Sequence, residues 1–257
     1  MLEYTYVTSA EDLGRIANEI RESDAVGLDL ETTSLDPYLG KIRILSVKTH
    51  VGVYVIDAFQ TGTLQPVIDA LNNPTRQTGG GRPVVIGQNL NFDQKYLLHH
   101  HNCLLWPVFD TWKASSLTYN GKIPRGTHHN LYAIYRREMP ELQGLMKEED
   151  WGASDWSVPN LSKGQLDYAA EDVTYMTDLW QIMRGRLKSL GLLQCALLEF
   201  SAGWAEVQME LNGMPFNQDR WTDLARSNMR KADALRTTLQ AGLPHPYGQL
   251  ALPGMDA

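Results

Sequence analysis

Two carboxylate side chains, Asp29 and Glu31, stand one residue apart in a short, largely apolar stretch at positions 26–33. Because side chains alternate along a β-strand, both carboxylates would point to one face while Leu28 and Leu30 point to the other. Neighbouring carboxylates repel each other, and burying them is costly unless a positive charge lies between them. A hard divalent cation bound by oxygen ligands is the simplest such charge. The alternative is a strand end whose acids are solvated.

Three further residues could complete a site around this pair. Asp93 lies in the first turn of a predicted helix that follows a strand-to-helix turn at positions 87–91. Tyr168 and Asp172 are one turn apart on a second predicted helix, so their side chains project together. Taken singly, Asp172 would be a helix-surface acid and Tyr168 a half-buried aromatic residue.

Alternating strands and helices must position these side chains. Hydrophobic patterns predict strands at positions 4–8, 26–33, 42–47, 51–56, 84–86 and 108–111. The two runs at 42–47 and 51–56 are predicted to be adjacent antiparallel strands. Helices are predicted at about 9–21 and 64–71, from Asn89, which would act as an N-cap, and from Trp112. A further helix is predicted from Ser162 towards Leu190, with Gln165 as the capping-box partner of Ser162. This order indicates an α/β domain with a mixed sheet flanked by helices, over residues 1–191.

The region after Gly191 has a different character. Two amphipathic runs, 195–211 and about 219–240, predict a C-terminal helical hairpin. The first helix would carry one apolar stripe, formed by Leu197, Phe200, Trp204, Val207 and Leu211. The Asn212-Gly213 pair would end the first helix, and Asn217 would cap the second. The Pro- and Gly-rich tail from Leu243 is predicted to be loose. We therefore expect a second domain at 192–257.

The composition is that of a globular protein, with 43% hydrophobic and 21% charged residues. The sequence has no secretory signal pattern and no apolar run long enough to cross a bilayer, so no membrane association is expected. Its two cysteines, Cys103 and Cys195, cannot form a thiolate metal site and fit a reducing compartment. We expect a cytoplasmic protein of a bacterial or phage-infected cell.

The net charge of −7 is unevenly distributed. Between Gln94 and Arg137 the sequence has one acid, Asp110, against the basic residues Lys95, Lys113, Lys122, Arg125, Arg136 and Arg137. Residues 138–178 are acidic. A basic face could attract an anionic polymer such as a nucleic acid and guide it to metal-binding carboxylates in the acidic region. The alternative is that both regions are solvated surfaces of opposite charge. The run His99-His100-His101 is predicted to end a helix, since adjacent helical residues diverge by about 100° and cannot all face one ion.

Three motifs occur in a fixed order: Asp29-Leu-Glu-Thr-Thr-Ser-Leu-Asp36, Asn89-Leu-Asn-Phe-Asp93 and Tyr168-Ala-Ala-Glu-Asp172. In order and context they resemble the motifs of the DEDD superfamily of 3′–5′ exonucleases, tyrosine subclass, over about residues 1–190. One departure is Gln88, where many relatives have His. It leaves the four acids untouched.

The resemblance implies a ribonuclease H-like fold and hydrolysis of a phosphodiester with two divalent ions, Mg²⁺ or Mn²⁺. Two such ions can hold both the attacking and the leaving oxygen of an in-line displacement. By the resemblance, Asp29 would bridge the ions, Glu31 and Asp172 would complete one ion site, and Asp93 would hold the second ion. Tyr168 would orient the attacking water.

The same resemblance assigns substrate contacts to four residues: Thr32, Leu35, Asn89 and Phe92. Leu35 would wedge against the terminal base, or it is an ordinary hydrophobic residue beside a turn. Asn89 would touch the substrate, or it only caps its helix.

Two exonuclease subfamilies are compatible with these motifs. The segment 206–217 resembles the join between the proofreading domain of DNA polymerase I-like (family A) enzymes and their thumb, which favours trimming of single-stranded DNA 3′ ends. The alternative is a ribonuclease D-like enzyme that trims RNA 3′ ends. A third reading is a catalytically silent module that binds nucleic acid or a polymerase. A separately encoded DNA polymerase is a candidate partner of the chain.

Overall fold

The computed structural model describes residues 2–72, 82–120, 129–142, 151 and 153–242. Lys122, Arg125 and the predicted loose tail from Leu243 therefore lie outside the described residues. Contacts divide the chain into two compact units, Met1–Leu211 and Asn212–Ala257.

The first unit is built on a six-stranded mixed sheet, as predicted. Its strands are β1 (Thr5–Val7), β2 (Ala25–Thr32), β3 (Ile42–Lys48), β4 (Val53–Asp57), β5 (Val84–Gly87) and β6 (Val108–Asp110). The strand order is β1-β4-β3-β2-β5-β6. β3 is antiparallel to β2 and β4, whereas the pairs β1·β4, β2·β5 and β5·β6 are parallel. The acid-bearing strand β2 is thus central, where both of its edges are paired.

Helices cover both faces of this sheet. The first helices are α1 (Leu13–Glu22), α2 (Ala58–Thr61), α3 (Gln65–Asn72), α4 (Asn91–His101) and α5 (Thr111–Tyr119). They are followed by α6 (Leu131–Glu138), α7 (Lys163–Thr174), α8 (Met176–Ser189) and α9 (Leu193–Asn212). One core packs α1, α3 and α4 on the sheet, through residues such as Leu13, Ile16, Ile20, Ile68 and Leu97. The other core joins the opposite face to α5–α9, through residues such as Ile134, Val173, Leu179, Met183 and Phe200.

A fully buried ion pair connects the sheet to the segment before α7. Arg43 on β3 donates to both carboxylate oxygens of Asp57, at 3.1 and 3.0 Å, and neither side chain is exposed. Arg43 also donates to the carbonyls of Val158, at 2.5 Å, and Pro159, at 3.2 Å. The guanidinium thereby compensates a buried acid and fixes the approach to α7.

Two predictions for the helices differ from the structure. The single helix predicted from Ser162 towards Leu190 is divided at Tyr175 into α7 and α8. The predicted apolar stripe of α9 included Leu197 and Trp204, which are 45% and 50% exposed. The buried residues of α9 are instead spaced for contact with the first unit: Ala196, Phe200, Gly203 and Val207. Because of these contacts the first unit extends to Leu211, beyond the expected boundary at 191.

The second unit contains α10 (Gln218–Gly242). As predicted, Asn217 caps this helix, since its side-chain oxygen accepts from the N–H of Arg220 at 2.9 Å. Gly213 has a positive φ of 63° directly after α9, which fits the predicted helix end. α10 has no buried residue. The predicted hairpin arrangement stays a prediction.

The two cysteines lie in different surroundings. Cys103 is buried, and burial raises the pKa of its thiol to about 12. Cys195 on α9 is exposed. Among the described helices, none combines the length and the apolar composition that a membrane span requires.

Candidate active site

Strand β2 presents Asp29 and Glu31 on one face, as the alternation of side chains requires. Asp29 is half-buried, and Glu31 is 7% exposed. The pairing between β2 and β3 shifts its register between Glu31 and Thr32. The first motif therefore lies at the carboxyl end of a central strand, where the regular ladder stops.

Helix α7 brings Tyr168 and Asp172 to the same place. Its start is fixed by the predicted capping box, in which the side chains of Ser162 and Gln165 reciprocally bind each other's backbone N–H. Gly27 on β2 allows a close approach, because a Cβ there would lie 3.0 Å from the carbonyl oxygen of Val173. Carboxylate oxygens of Asp29, Glu31 and Asp172 all lie within 4.8 Å of one another. The structure thus joins the first and third motifs in one cluster.

Asp93 reaches the cluster from the first turn of α4 and is 2% exposed. Burial raises the pKa of Asp93 well above its usual range, while the backbone N–H groups of Asp93 and Leu30 oppose this shift. Burial also raises the pKa of Asp29, and the charge of Asp93 raises it further. In the described part of the chain, Asp93 Oδ1 has no hydrogen-bond partner. The two acids are thus buried near each other, and one oxygen of Asp93 is left for a ligand.

The neighbouring acid Asp110 has a different environment. Its Oδ1 accepts from the N–H groups of Asn89, Trp112 and Lys113 at 3.1, 2.9 and 3.3 Å, and its Oδ2 accepts from Leu90 at 2.9 Å. Burial raises the pKa of Asp110, and all four N–H groups oppose the shift. Asp110 thus caps α5 and braces the turn before α4, which is a structural role.

Asn89 does not cap α4. Its φ is 56°, in the left-handed region that Asn tolerates, and the N-cap position is taken by Leu90 without a side-chain cap. The cap prediction for Asn89 is wrong, because Asn89 precedes the N-cap position and its own backbone N–H donates to Asp110 at the end of β6. The Asn89 side chain instead faces the cleft beside Asp93.

An open cleft of about 450 Å³ lies in front of the carboxylates. Its lining residues are Asp29, Gln88, Asn89, Phe92, Asp93, Trp112, His129 and Asn130. Of the four predicted substrate-contacting residues, Asn89 and Phe92 are in this set and Thr32 and Leu35 are not. Trp112, His129 and Asn130 were not identified from the sequence. The place of Trp112 directly after a predicted strand-to-helix junction is a sequence signal that could have indicated it.

Gln88, the departure from the family pattern, organises one wall of the cleft. Its Nε2 donates to the carbonyl of His129 at 2.7 Å, and its Oε1 accepts from the Thr111 hydroxyl at 2.5 Å. The His129 ring is 2.8 Å from the hydroxyl of Ser115. Gln88 therefore fixes the backbone that carries His129 and Asn130.

Thr32 and Leu35 lie in the loop that follows β2. The Thr32 hydroxyl donates to the carbonyl of Ser34 at 2.7 Å. Tyr96 on α4 anchors the loop by donating to the carbonyls of Ser34 and Asp36. Leu35 is 83% exposed, and both alternatives for this residue stay predictions.

Tyr168 is the one uncharged member of the predicted catalytic set. Burial raises the pKa of its hydroxyl far above the usual value, and the charges of Asp172, Glu31 and Asp29 raise it further. The hydroxyl therefore stays protonated at neutral pH and can donate a hydrogen bond, but it cannot act as a general base.

The predicted basic face is partly neutralised. Lys95 pairs with Glu210 at 2.5 Å, and Lys113 pairs with Glu206 at 2.8 Å; both acids are on α9. These lysines, on α4 and α5, connect α9 to the rest of the first unit. The histidine run ends α4 at His101, as predicted.

The carboxylate cluster fits a hard divalent cation. Its donors are oxygen atoms alone, which suits Mg²⁺ or Mn²⁺ better than Zn²⁺. Asp29, Glu31 and Asp172 can reach one ion together. The unpartnered Oδ1 of Asp93 provides a further ligand near Asp29.

Comparison with known proteins supports the resemblance to 3′–5′ exonucleases. The family model of the 3′–5′ exonuclease domain matches residues 4–188. DNA polymerase I of Aquifex aeolicus is 27% identical over 248 residues, which cover 90% of this chain and 39% of that protein. Ribonuclease D of Nitrobacter hamburgensis is 22% identical over 240 residues, which cover 91% of this chain and 56% of that protein. The chain thus spans well under two thirds of these curated relatives.

Solved structures show the same ribonuclease H-like fold. Escherichia coli RNase D matches with a TM-score of 0.67 at 19% identity. The matched region is 80% of this chain and 51% of the RNase D chain. Brucella melitensis NrnC, solved with pGG, matches with a TM-score of 0.64 at 24% identity. The matched region is 82% of this chain and 92% of the NrnC chain. Because the family model matches more than half of the residues, and because acids of all three motifs lie close together, the chain belongs to the 3′–5′ exonuclease domain family.

Proposed function

We propose that this chain hydrolyses the 3′-terminal phosphodiester of single-stranded DNA in the manner of a proofreading domain. The observation that carries the proposal is the convergence of Asp29, Glu31 and Asp172, whose oxygens lie within 4.8 Å of one another beside the buried Asp93. No other arrangement among the described residues collects as many carboxylates at an open cleft.

Asp29, Glu31, Asp93 and Asp172 would hold two divalent ions, Mg²⁺ or Mn²⁺. When bound, the ions supply Lewis-acid activation of water and stabilisation of the leaving oxygen. Asp29 is close both to Glu31 and Asp172 and to Asp93, and by the family resemblance it would contribute to both ion sites. A structure of NrnC with bound Mg²⁺ supports the choice of metal, since its fold matches this chain with a TM-score of 0.62.

The remaining side chains would orient the strand end. Tyr168 keeps its proton and would donate a hydrogen bond that positions the attacking water beside Glu31. Phe92 and Trp112 line the cleft and offer aromatic faces on which bases can stack. The exposed Leu35 would wedge against the terminal base, and Asn89 and Thr32 would contact its nucleotide. Such contacts read no base edges, so sequence specificity is expected to be low.

A second candidate function is the trimming of RNA 3′ ends. Ribonuclease D proteins are among the relatives that match more than 70% of this chain, and E. coli RNase D, which shares its fold, is an exoribonuclease. The DNA proposal is favoured by the match to A. aeolicus DNA polymerase I, which extends over 90% of the chain. On the same ground we propose a DNA polymerase as the partner.

Strands labelled at the 5′ end, of DNA and of RNA with the same sequence, test the two candidates in Mg²⁺, Mn²⁺ or EDTA. Stepwise shortening of DNA that EDTA abolishes is the expected result. Faster trimming of RNA would establish the second candidate. Binding of strands without hydrolysis in either metal would contradict both and leave a binding module.

A further inference from the structure

A polar cluster joins α9 to the helices of the cleft. Glu206 Oε2 accepts hydrogen bonds from Asn91 Nδ2 at 2.7 Å and from Lys113 Nζ at 2.8 Å. Lys113 is 9% exposed and also donates to the backbone carbonyl of Glu199 at 3.2 Å. The contacts with Lys113 and Asn91 lower the pKa of Glu206, so this side chain is a negatively charged carboxylate at neutral pH.

The backbone of α9 is shaped for this approach. A Cβ at Gly203 would lie 2.9 Å from Asn91 Oδ1 and 3.0 Å from Lys113 Nζ. Such distances require a neighbouring atom to shift, so the cluster depends on a residue without a side chain at this position. The contact is therefore part of the packing between α9 and the first unit, and not an incidental surface pair.

Both donors of the cluster belong to the first turns of cleft helices. Asn91 is the first residue of α4 and precedes Asp93 by two positions. Lys113 lies in the first turn of α5, next to Trp112, which lines the cleft. The negative charge of Glu206 near both N-termini is also favourable for the helix dipoles.

The first turn of α4 depends on acceptors from elsewhere. Its own N-cap residue, Leu90, supplies no side-chain hydrogen bond. Asp110 accepts from the backbone on one side of the turn, and Glu206 accepts from the side chain of Asn91 on the other. The Asp93 carboxylate accepts from the backbone N–H groups of Asp93 and Leu30, while its Oδ1 has no hydrogen-bond partner among the described residues. Because the Asp93 backbone lies in the same turn as Asn91, the placement of that turn sets how Oδ1 is presented to the site.

We propose that Glu206 is a positioning residue for the metal site, which acts through Asn91 on the placement of Asp93. The proposal rests on the proposed function, since it takes Asp93 as a metal ligand. It assigns to α9 a role in the site although none of its side chains lines the cleft.

Mn²⁺ binding to the full chain, followed by the electron paramagnetic resonance signal of the free ion, tests the proposal without hydrolysis. Glu206→Ala removes the acceptor, Glu206→Gln keeps an acceptor for Asn91 without the charge, and Glu199→Ala is the control from the same helix. We expect Glu206→Ala to weaken binding by about tenfold, as loss of outer support to metal ligands does. Glu206→Gln should recover part of this loss, and the control should bind within about twofold of the unsubstituted chain.

Circular dichroism establishes that each variant is folded, and if Glu206→Ala is not, the isosteric Glu206→Gln and the control decide the question. Equal Mn²⁺ affinity in the folded Glu206 variants and the control would overturn the positioning role. Weaker binding in a chain that never hydrolyses nucleic acid would support the positioning role while contradicting the proposed function. Absence of Mn²⁺ binding by the unsubstituted chain would overturn both.

Discussion

Asp93 and Asp110 are equally buried, each 2% exposed, yet they meet the cost of burial in different ways. Asp110 accepts four backbone N–H groups, which satisfy its oxygens within the fold. Asp93 retains an unpartnered Oδ1 in the described part of the chain and faces the cleft with Asp29. The first environment is complete without a ligand. The second becomes favourable when a cation binds, which separates a structural acid from a site acid at the same end of one sheet.

Replacement of a site acid should have the largest effect on activity and little effect on stability. Asp29→Asn removes the proposed bridging ligand and one charge of a repelling group. We expect hydrolysis to fall by at least about a hundredfold, the lower end of the cost of losing a directly charge-stabilising group. The midpoint of thermal unfolding in EDTA should stay level or rise. A large fall in that midpoint would show that Asp29 is structural.

Replacement of the structural acid should reverse this pattern. Asp110→Ala leaves four buried N–H groups without their acceptor and removes the cap of α5. We expect the free energy of unfolding to fall by about 2–4 kcal/mol, from the lost cap and charge-assisted hydrogen bonds. Urea unfolding measures this change. Asp12→Ala, at an exposed position of the same unit, is the control. Unchanged stability of Asp110→Ala would remove the distinction between the two acids.

A divalent cation should stabilise the site without any substitution. Mn²⁺ at a hundredfold excess over its dissociation constant should add about 2.7 kcal/mol to the free energy of unfolding if it binds the folded chain alone. Differential scanning calorimetry with Mn²⁺ or EDTA measures the shift. Asp29→Asn should lose most of the shift. An equal shift in that variant would place the ion elsewhere.

The smallest expected effect is the pH dependence of the metal-free chain. The pKa values of Asp29 and Asp93 are raised by burial, so the folded state binds these protons more tightly than the unfolded state does. Their contribution to stability is complete below the unfolded pKa of about 4 and is lost as pH rises through the higher folded pKa. Urea unfolding in EDTA at increasing pH should show this decline. The decline should be weaker in Asp29→Asn, and equal slopes would contradict it.

The sequence was sufficient for the local features of the site. Alternation along β2 and the helical spacing of Tyr168 and Asp172 predicted which side chains share a face, because both depend on local backbone geometry. The same holds for the capping box at Ser162. The mixed sheet followed from the order of strands and helices.

Features set by distant residues were not predictable. Asn89 was expected to cap α4, but it lies one residue before the N-cap Leu90, and its N–H donates to Asp110, 21 residues later. α9 was assigned to the extension because its apolar pattern suited a hairpin. Its contacts through Glu206 and Phe200 with the first unit depend on partners that no spacing within the helix reveals. In both cases, contacts with residues far away in the sequence determined the structure.

The different exposure of the two cysteines allows selective labelling of one thiol. Cys103 is buried with a raised pKa, so it is a poor nucleophile, whereas Cys195 is exposed. A thiol-reactive dye or spin label would therefore modify one position, on the same helix that carries Glu206. Storage without reductant would for the same reason favour covalent dimers linked through Cys195, and these should be separated before any binding stoichiometry is interpreted.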